Sequence, residues 1–439
     1  MKTINKIPTS KLQRASKIIK TGAKVGGNYV KYYANRVSKS KEEASKILNE
    51  DNAEDIYDGL KNLKGSALKV AQMMSMDKSV LPKEYAEKFS LAQFSVPPLS
   101  GPLISKTFKR NFGEYPTKIF DSFSNQAIYA ASIGQVHKAS KNGKEFAVKI
   151  QYPGVGDSIS SDLALIKPFA LKLLNISSKD ADIYFQEVKN KLLEETDYKN
   201  ELKQGESIAK ACEKLENLKF PKYYTEYSSD KVITMDWMKG EHLSEFYNRM
   251  AGTPEAKKVS QTLWDFYMYQ LHELKEFHAD PHPGNFLVDD DLNLIALDFG
   301  CLKKIPNEFY TPYFELVIEE NRNDKTKFRE ILTKLEVIYP EDSEKEIEFL
   351  EGLFHELLSI FTKPFQTDNF DFSDESFFQE IIDLGKRLSK DKELRSQNGG
   401  RGSKHFIYMN RTFFGLYNLM FDLKSKDILT SKFSPSTIS

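Results

Sequence analysis

Three polar side chains between positions 280 and 298 have the types and spacing needed for phosphoryl transfer. The stretch His278-Ala279-Asp280-Pro281-His282-Pro283-Gly284-Asn285 is followed by Asp298-Phe299-Gly300. A carboxylate such as Asp280 can orient an attacking hydroxyl. An amide oxygen and a second carboxylate, here Asn285 and Asp298, can hold Mg²⁺ (or Mn²⁺) against phosphate oxygens. Pro281 and Pro283 stiffen the loop, and Gly284 allows a tight turn before Asn285. His278 reads as a packing residue. His282 reads either as packing or as a contact to substrate or phosphate. A zinc pair from the two histidines needs a helix, which the intervening prolines oppose.

The order Asp, Asn and DFG is also that of protein-kinase signatures, although the loop reads HxDxHPGN where those read HRDLxxxN. Upstream, Lys149 sits in the strand-like run Phe146-Ala147-Val148-Lys149-Ile150-Gln151, in the place of a lysine that holds the α- and β-phosphates of ATP (or ADP). Alone it reads as an edge lysine; with the downstream motifs in order it reads as functional. Such a lysine needs a carboxylate partner, for which Glu194 and Glu195 are both candidates. Asp197 and Glu201 lie four apart on one helical face. No GxGxxG precedes Lys149. In its place stands Tyr129-Ala130-Ala131-Ser132-Ile133-Gly134, a stiffer turn whose Cβ atoms hold the backbone farther from phosphates.

Other elements must position these groups. Asn142-Gly143 predicts a hairpin turn, flanked by a strand–turn–strand from Ile128 to Val136 and a strand over 145–151. Lys231 to Trp237 predicts another strand. Helices are predicted over 158–175, 182–196 and 198–215, and from Trp264 to Phe277, where one delivers the catalytic loop. From Leu243 onward helices dominate, apart from 285–297, and a last helix with an aromatic face runs from Phe406 to Leu423. Ahead of the strands, Leu60, Leu63, Ala67, Val70 and Met74 trace a helical stripe. The reading is α+β: a basic helical arm (1–50), a helical extension (51–118), a small β-rich lobe with inserted helices (119–240) and a larger helical lobe (241–439). Two lobes of this kind are the layout expected when a nucleotide sits in the cleft between them.

Composition bounds the partners. With 63 Lys+Arg against 63 Asp+Glu the formal net charge is zero, so nucleic acid is not expected. Cys212 and Cys301 are the two cysteines, too few for a disulfide framework, which predicts a reducing, cytoplasmic setting. No run of about 18 apolar residues predicts a spanning helix, and no apolar h-region near the start predicts a secretory signal. The basic residues from Lys2 to Lys41 all precede the first acid, Glu42. With Leu12, Ala15, Ile18 and Ile19 at helical spacing, this arm suits either an anionic membrane surface or a helix packed on the next domain.

Together the motifs resemble the ABC1/ADCK/UbiB (AarF/COQ8) family of atypical kinases. They are ALKVAQMMS (67–75), YAASIGQVH (129–137), KIQYPGV (149–155), EETDYKNE (194–201), HADPHPGN (278–285) and DFG (298–300). The resemblance covers about residues 50 to 425. It implies a protein-kinase-like fold with an N-terminal KxGQ extension, here Lys69-Val70-Ala71-Gln72, lying over the active site as a lid that excludes protein substrates. It implies Glu195 as partner of Lys149, within the ExD motif Glu195-Thr196-Asp197, with Glu201 as a further acid. It also implies adenine contacts at the hinge, from Met235 and Asp236 to Met238, beside Ala130, Ala131 and Ser132. Two positions depart from the pattern: Ala71 replaces a glycine and Tyr129 an alanine, which puts ATP versus ADP preference in question. The implied activity is an ATP- and Mg²⁺-dependent kinase or ATPase, linked to isoprenoid-quinone biosynthesis. Membrane lipid, a quinone precursor and quinone-biosynthesis proteins are the implied partners. A small-molecule kinase of the choline or aminoglycoside phosphotransferase kind and a nucleotide-gated lipid-binding scaffold are the alternative readings.

Overall fold

The computed structural model of the chain describes residues 11–36, 38–63, 67, 83–90, 98–130, 133–174, 178–390 and 402–433. The chain divides into two compact units: residues 1–202 with 222–237, and residues 203–221 with 238–439.

The first unit opens with α1 (Lys11–Asn35) and α2 (Lys41–Leu63). Ser40 starts α2 with a capping box: Glu43 N–H donates to Ser40 Oγ at 3.1 Å and Ser40 N–H donates to Glu43 Oε2 at 3.2 Å. The two helices run antiparallel, with Lys24 against Asp55 and Asn28 against Asn52. Further helices follow, among them α3 (Lys83–Ser90) and α4 (Gly101–Phe112). Pro102 stands in the first turn of α4, and Gly113, at φ 77°, ends it by donating to Lys109 O, because only glycine enters that region without strain.

The sheet of this unit contains β1 (Ser122–Phe123), β2 (Tyr129–Ala130), β3 (Gly134–Lys141) and β4 (Lys144–Gln151). The next strand, β5 (Leu218–Lys219), belongs to the second unit, and β6 (Val232–Asp236) completes the first. The strand order is β1-β3-β4-β6, with β2 also paired to β3. Asn142 and Gly143 both take positive φ, 49° and 74°, the turn that an Asn-Gly hairpin demands. Along β4 the pleat sorts the side chains. Phe146, Val148 and Ile150 join a core with Ile104, Phe108 and Phe120 of the preceding segment, while Ala147 faces Tyr198, Leu202 and Ile233. Lys149 therefore shares the second face. Three helices lie between β4 and β6: α5 (Val155–Leu174), α6 (Ser178–Glu195) and α7 (Tyr198–Ala211).

In the second unit a four-stranded sheet runs β5-β10-β9-β7, using β7 (Glu241–His242), β9 (Phe286–Val288) and β10 (Leu294–Ala296). A two-stranded ribbon joins β8 (Glu276–His278) to β11 (Leu302–Lys304). The helix expected from Trp264 to Phe277 begins and ends earlier: α8 (Pro254–Tyr269) gives way to a π-turn over Gln270–Leu274, and Lys275 then adopts φ 51°. That left-handed residue ends the helix and turns the chain into β8. Trp264, Phe266 and Tyr267 of α8 are buried at the centre of a large aromatic core. Further helices lead to the last one, α9 (Lys404–Asp422), which presents Met409, Phe413, Leu416 and Tyr417 to the same core. The stripe expected from Leu60 to Met74 is buried at Leu60, Leu63 and Ala67; Val70 and Met74 lie outside the described residues. No helix among the described residues is long and apolar enough to cross a membrane.

Candidate functional site

Each unit carries some of the residues expected to be functional. In the first, β4 carries Lys149 and α7 brings Glu201 to it. Lys149 Nζ donates to Glu201 Oε1 at 2.6 Å, and the carboxylate side chain is only 4% exposed. The ammonium also lies 5.1 Å from the ring centre of the buried Tyr198, a cation–π contact in a partly dry setting. Paired charges of this kind hold each other in place, because separating them would leave a buried charge uncompensated.

Glu201, which the resemblance gave as a further acid beside Glu195, is the carboxylate seen against Lys149. Glu195 is the last residue of α6. Between it and α7 the chain turns. Asp197 caps the new helix, accepting from Asn200 N–H through Oδ1 at 3.1 Å and from Glu201 N–H through its carbonyl at 3.0 Å. Glu201 therefore falls one turn into α7. Gln151 of β4 donates to Thr196 O at 3.0 Å, so the turn itself is pinned to the strand that carries Lys149.

Gly134 has a structural reason to be glycine. A Cβ there would stand 2.7 Å from Tyr198 Oη and 2.8 Å from Ile150 O. Its missing side chain serves close packing of β3. Ala130 lies on β2, paired with Gln135; Ala131, Ser132, Lys69, Ala71 and Gln72 lie outside the described residues. At the expected hinge, Met235 is buried in β6 opposite Ala147. Asp236 is engaged within the unit. Its side chain receives Tyr224 O–H at 2.8 Å and Lys144 at 2.9 Å, and its N–H donates to Lys222 O.

The second unit holds the loop 278–285 expected to be catalytic, and its geometry follows from pairing. Register Phe286↔Ala296 in the β9–β10 hairpin, extended by Leu297 N–H donating to Asn285 O at 3.0 Å, puts Asn285 and Asp298 at the same end of that hairpin. Ala279 N–H donates to Cys301 O, and the β8–β11 ribbon pairs His278 with Leu302. These bonds tie the loop to the chain just beyond Asp298. Inside the loop, Asn285 Nδ2 donates to Asp280 O at 2.9 Å. Asp298 Oδ1 accepts from Gly300 N–H at 2.9 Å.

His278 is buried, its ring 3.3 Å from Tyr267 Oη and its N–H donating to Gln270 Oε1. It packs, as its position suggested. His282 Nδ1 accepts from Gly284 N–H at 3.1 Å and starts the short turn that carries Asn285. Among the described residues no group of three or more His, Cys, Asp or Glu forms a ready metal cage. One amide and one carboxylate are hard oxygen donors that suit Mg²⁺, which commonly takes its remaining ligands from phosphates and water. The residues fit that ion.

One partner was not foreseen. Arg411 of α9 donates Nη2 to Asp280 Oδ1 at 2.6 Å. The two residues are 131 positions apart, and no local pattern marks that arginine within an aromatic helix.

Fold and site together define a protein-kinase-like α+β protein: a small β-rich lobe, a larger helical lobe and an N-terminal helical extension. The description "ABC1 atypical kinase-like domain" matches residues 91–332, more than half of the chain, and the chain belongs to that family. Among its relatives, Atypical kinase COQ8, mitochondrial, of Saccharomyces cerevisiae is 28% identical over 85% of this chain and 75% of its own. Protein ACTIVITY OF BC1 COMPLEX KINASE 8, chloroplastic, of Arabidopsis thaliana is 30% identical over 62% of this chain, which spans 37% of that longer protein. The probable serine/threonine-protein kinase abkA of Dictyostelium discoideum is 27% identical over 75% of this chain and 62% of its own. Among solved structures, the Rv3197–erythromycin complex of Mycobacterium tuberculosis has a TM-score of 0.60 at 24% identity and covers 90% of this chain and 97% of that one. That likeness shows the fold.

Proposed function

We propose that this chain is an ATP- and Mg²⁺-dependent phosphotransferase or ATPase of the ABC1 type. The reading rests on the β9–β10 register, which sets Asn285 beside Asp298 at one end of a hairpin while Asn285 tethers the backbone of Asp280. When bound, Mg²⁺ would neutralise phosphate charge. Asn285 and Asp298 would hold it. Lys149, steadied by Glu201, would hold the α- and β-phosphates, with Glu195 and Asp197 shaping the adjoining turn and Met238 meeting adenine. Asp280 would orient the attacking hydroxyl or water and take its proton. Asp298→Asn keeps the side chain's size and removes its charge. It should abolish Mg²⁺-dependent turnover in a phosphate-release assay; turnover equal to wild type would sink the assignment.

The setting proposed for this activity is isoprenoid-quinone biosynthesis (ubiquinone or menaquinone) or related membrane lipid metabolism. Similarity to the COQ8 atypical kinase along most of this chain supports it. Contact with a membrane surface is supported by α1, where Leu12, Ile19, Val30 and Tyr33 are 84%, 69%, 72% and 70% exposed. At 3.6 residues per turn they fall within about 60° of one another around the axis. Lys20 lies to one side of this seam, about 80° from Leu12 and Val30 around the axis, as basic residues do on helices that lie in anionic lipid interfaces.

A further inference from the structure

Asp280 is held at two levels. Its backbone carbonyl is fixed from within the loop by Asn285 Nδ2. Its carboxylate is met from outside the loop by Arg411, at 2.6 Å, with the two side chains 28% and 23% exposed. A charge-assisted bond in such a half-dry place orients a carboxylate more firmly than the same bond in open solvent.

The helix that delivers Arg411 is fitted to this loop by more than one contact. One turn further on stands Gly415, where a Cβ would lie 2.4 Å from Pro281 Cγ and 3.1 Å from Pro281 O. The backbone of α9 thus rests against the residue after Asp280, at a distance only glycine allows. One turn earlier, the Tyr408 ring lies under Lys303 Nζ at 4.9 Å, and Lys303 belongs to β11, shortly after the Asp298 triplet. The stripe 408, 411, 415 is one face of one helix. It touches the catalytic loop twice and the strand beyond Asp298 once. Behind that face the helix is anchored in the core, with Tyr417 O–H donating to Phe361 O at 2.8 Å.

We propose that Arg411 is a positioning residue for Asp280: α9 carries its guanidinium to the catalytic carboxylate and fixes the direction in which that carboxylate meets the acceptor. The proposal rests on the phosphotransferase or ATPase reading above. It makes the last helix part of the catalytic apparatus, with Gly415 setting the height at which Arg411 reaches Asp280.

The test compares Arg411→Ala, Arg411→Lys and Gly415→Ala with wild type, each checked for an unchanged thermal midpoint. Turnover of Mg·ATP and nucleotide Kd are measured separately. Arg411→Ala should lower kcat at least about tenfold, roughly 1.4 kcal/mol of transition-state stabilisation, and leave nucleotide Kd within about twofold. Added guanidinium ion should restore part of the kcat of Arg411→Ala and none to Asp280→Asn, which a purely structural role would not do. Gly415→Ala should lower kcat in the same direction, and Arg411→Lys should retain more activity than Arg411→Ala. Wild-type or raised kcat in Arg411→Ala overturns the proposal, as does a loss that neither guanidinium nor Arg411→Lys relieves. A wild-type protein with no Mg²⁺-dependent turnover would instead remove the functional reading, and this proposal with it.

Discussion

The Lys149–Glu201 pair is the clearest consequence of single-residue placement. Glu194 and Glu195 were the candidates read in one acidic run, with Asp197 and Glu201 on one face beyond them, and a linear pattern does not show which acid reaches Lys149. The placing of Glu201 comes from a break in the helix. Asp197 caps α7, so the next inward-facing acid is Glu201, buried against β4. Glu201→Gln keeps the shape and removes the charge that balances the ammonium. Nucleotide Kd, followed by fluorescence titration, should rise about tenfold, or about 1.4 kcal/mol, with Glu195→Gln giving the smaller change. A larger effect at Glu195 would return the partner role to that residue. That Asp280, Asn285 and Asp298 come near one another was legible because their spacing is short and loop-borne. Arg411 was not, because its meeting with Asp280 depends on how a distant helix packs.

The elements around the site were mostly readable from periodicity. Strand β4, the Asn142-Gly143 turn and the last helix all follow their local patterns, and the α8 end shows where pattern fails. Apolar spacing continues through Phe277, yet a π-turn and a left-handed Lys275 divert the chain into β8. Helix α1 is held by an interaction that periodicity does not foretell. Arg14 donates to Asp162 of α5 through Nε at 2.6 Å and Nη2 at 2.5 Å, and to Leu63 O at 3.0 Å, with Asp162 wholly buried. Arg14→Ala leaves that carboxylate without its guanidinium, which typically costs 3–5 kcal/mol. Amide hydrogen exchange should then show α1 losing protection ahead of the β3–β4 hairpin. Unaltered protection in α1 would show that the pair is not what holds the helix.

For the molecule as a whole, the basic N-terminal stretch becomes specific once folded. Arg14 is spent on Asp162 and Lys24 on Asp55, so the excess of positive charge seen in sequence is partly neutralised within the fold. What α1 exposes is an apolar seam with Lys20 beside it. Replacing Leu12, Ile19 and Val30 together by Ser should reduce co-sedimentation with vesicles containing anionic lipid, and neutral vesicles should pellet less wild-type protein than anionic ones. Equal pelleting of variant and wild type would end the membrane assignment; a shift in oligomeric state would instead make the seam a contact between copies. The sequence by itself determined the HxDxHPGN loop, the Asp298 triplet, the Lys149 strand and membership of the family, since each is written in contiguous residues. Only the tertiary structure decided that Glu201 meets Lys149, that Arg411 meets Asp280 and which face of α1 is exposed. Those outcomes depend on packing between segments far apart in the chain, where helix breaks, a single glycine and buried charges select one arrangement that no local pattern encodes.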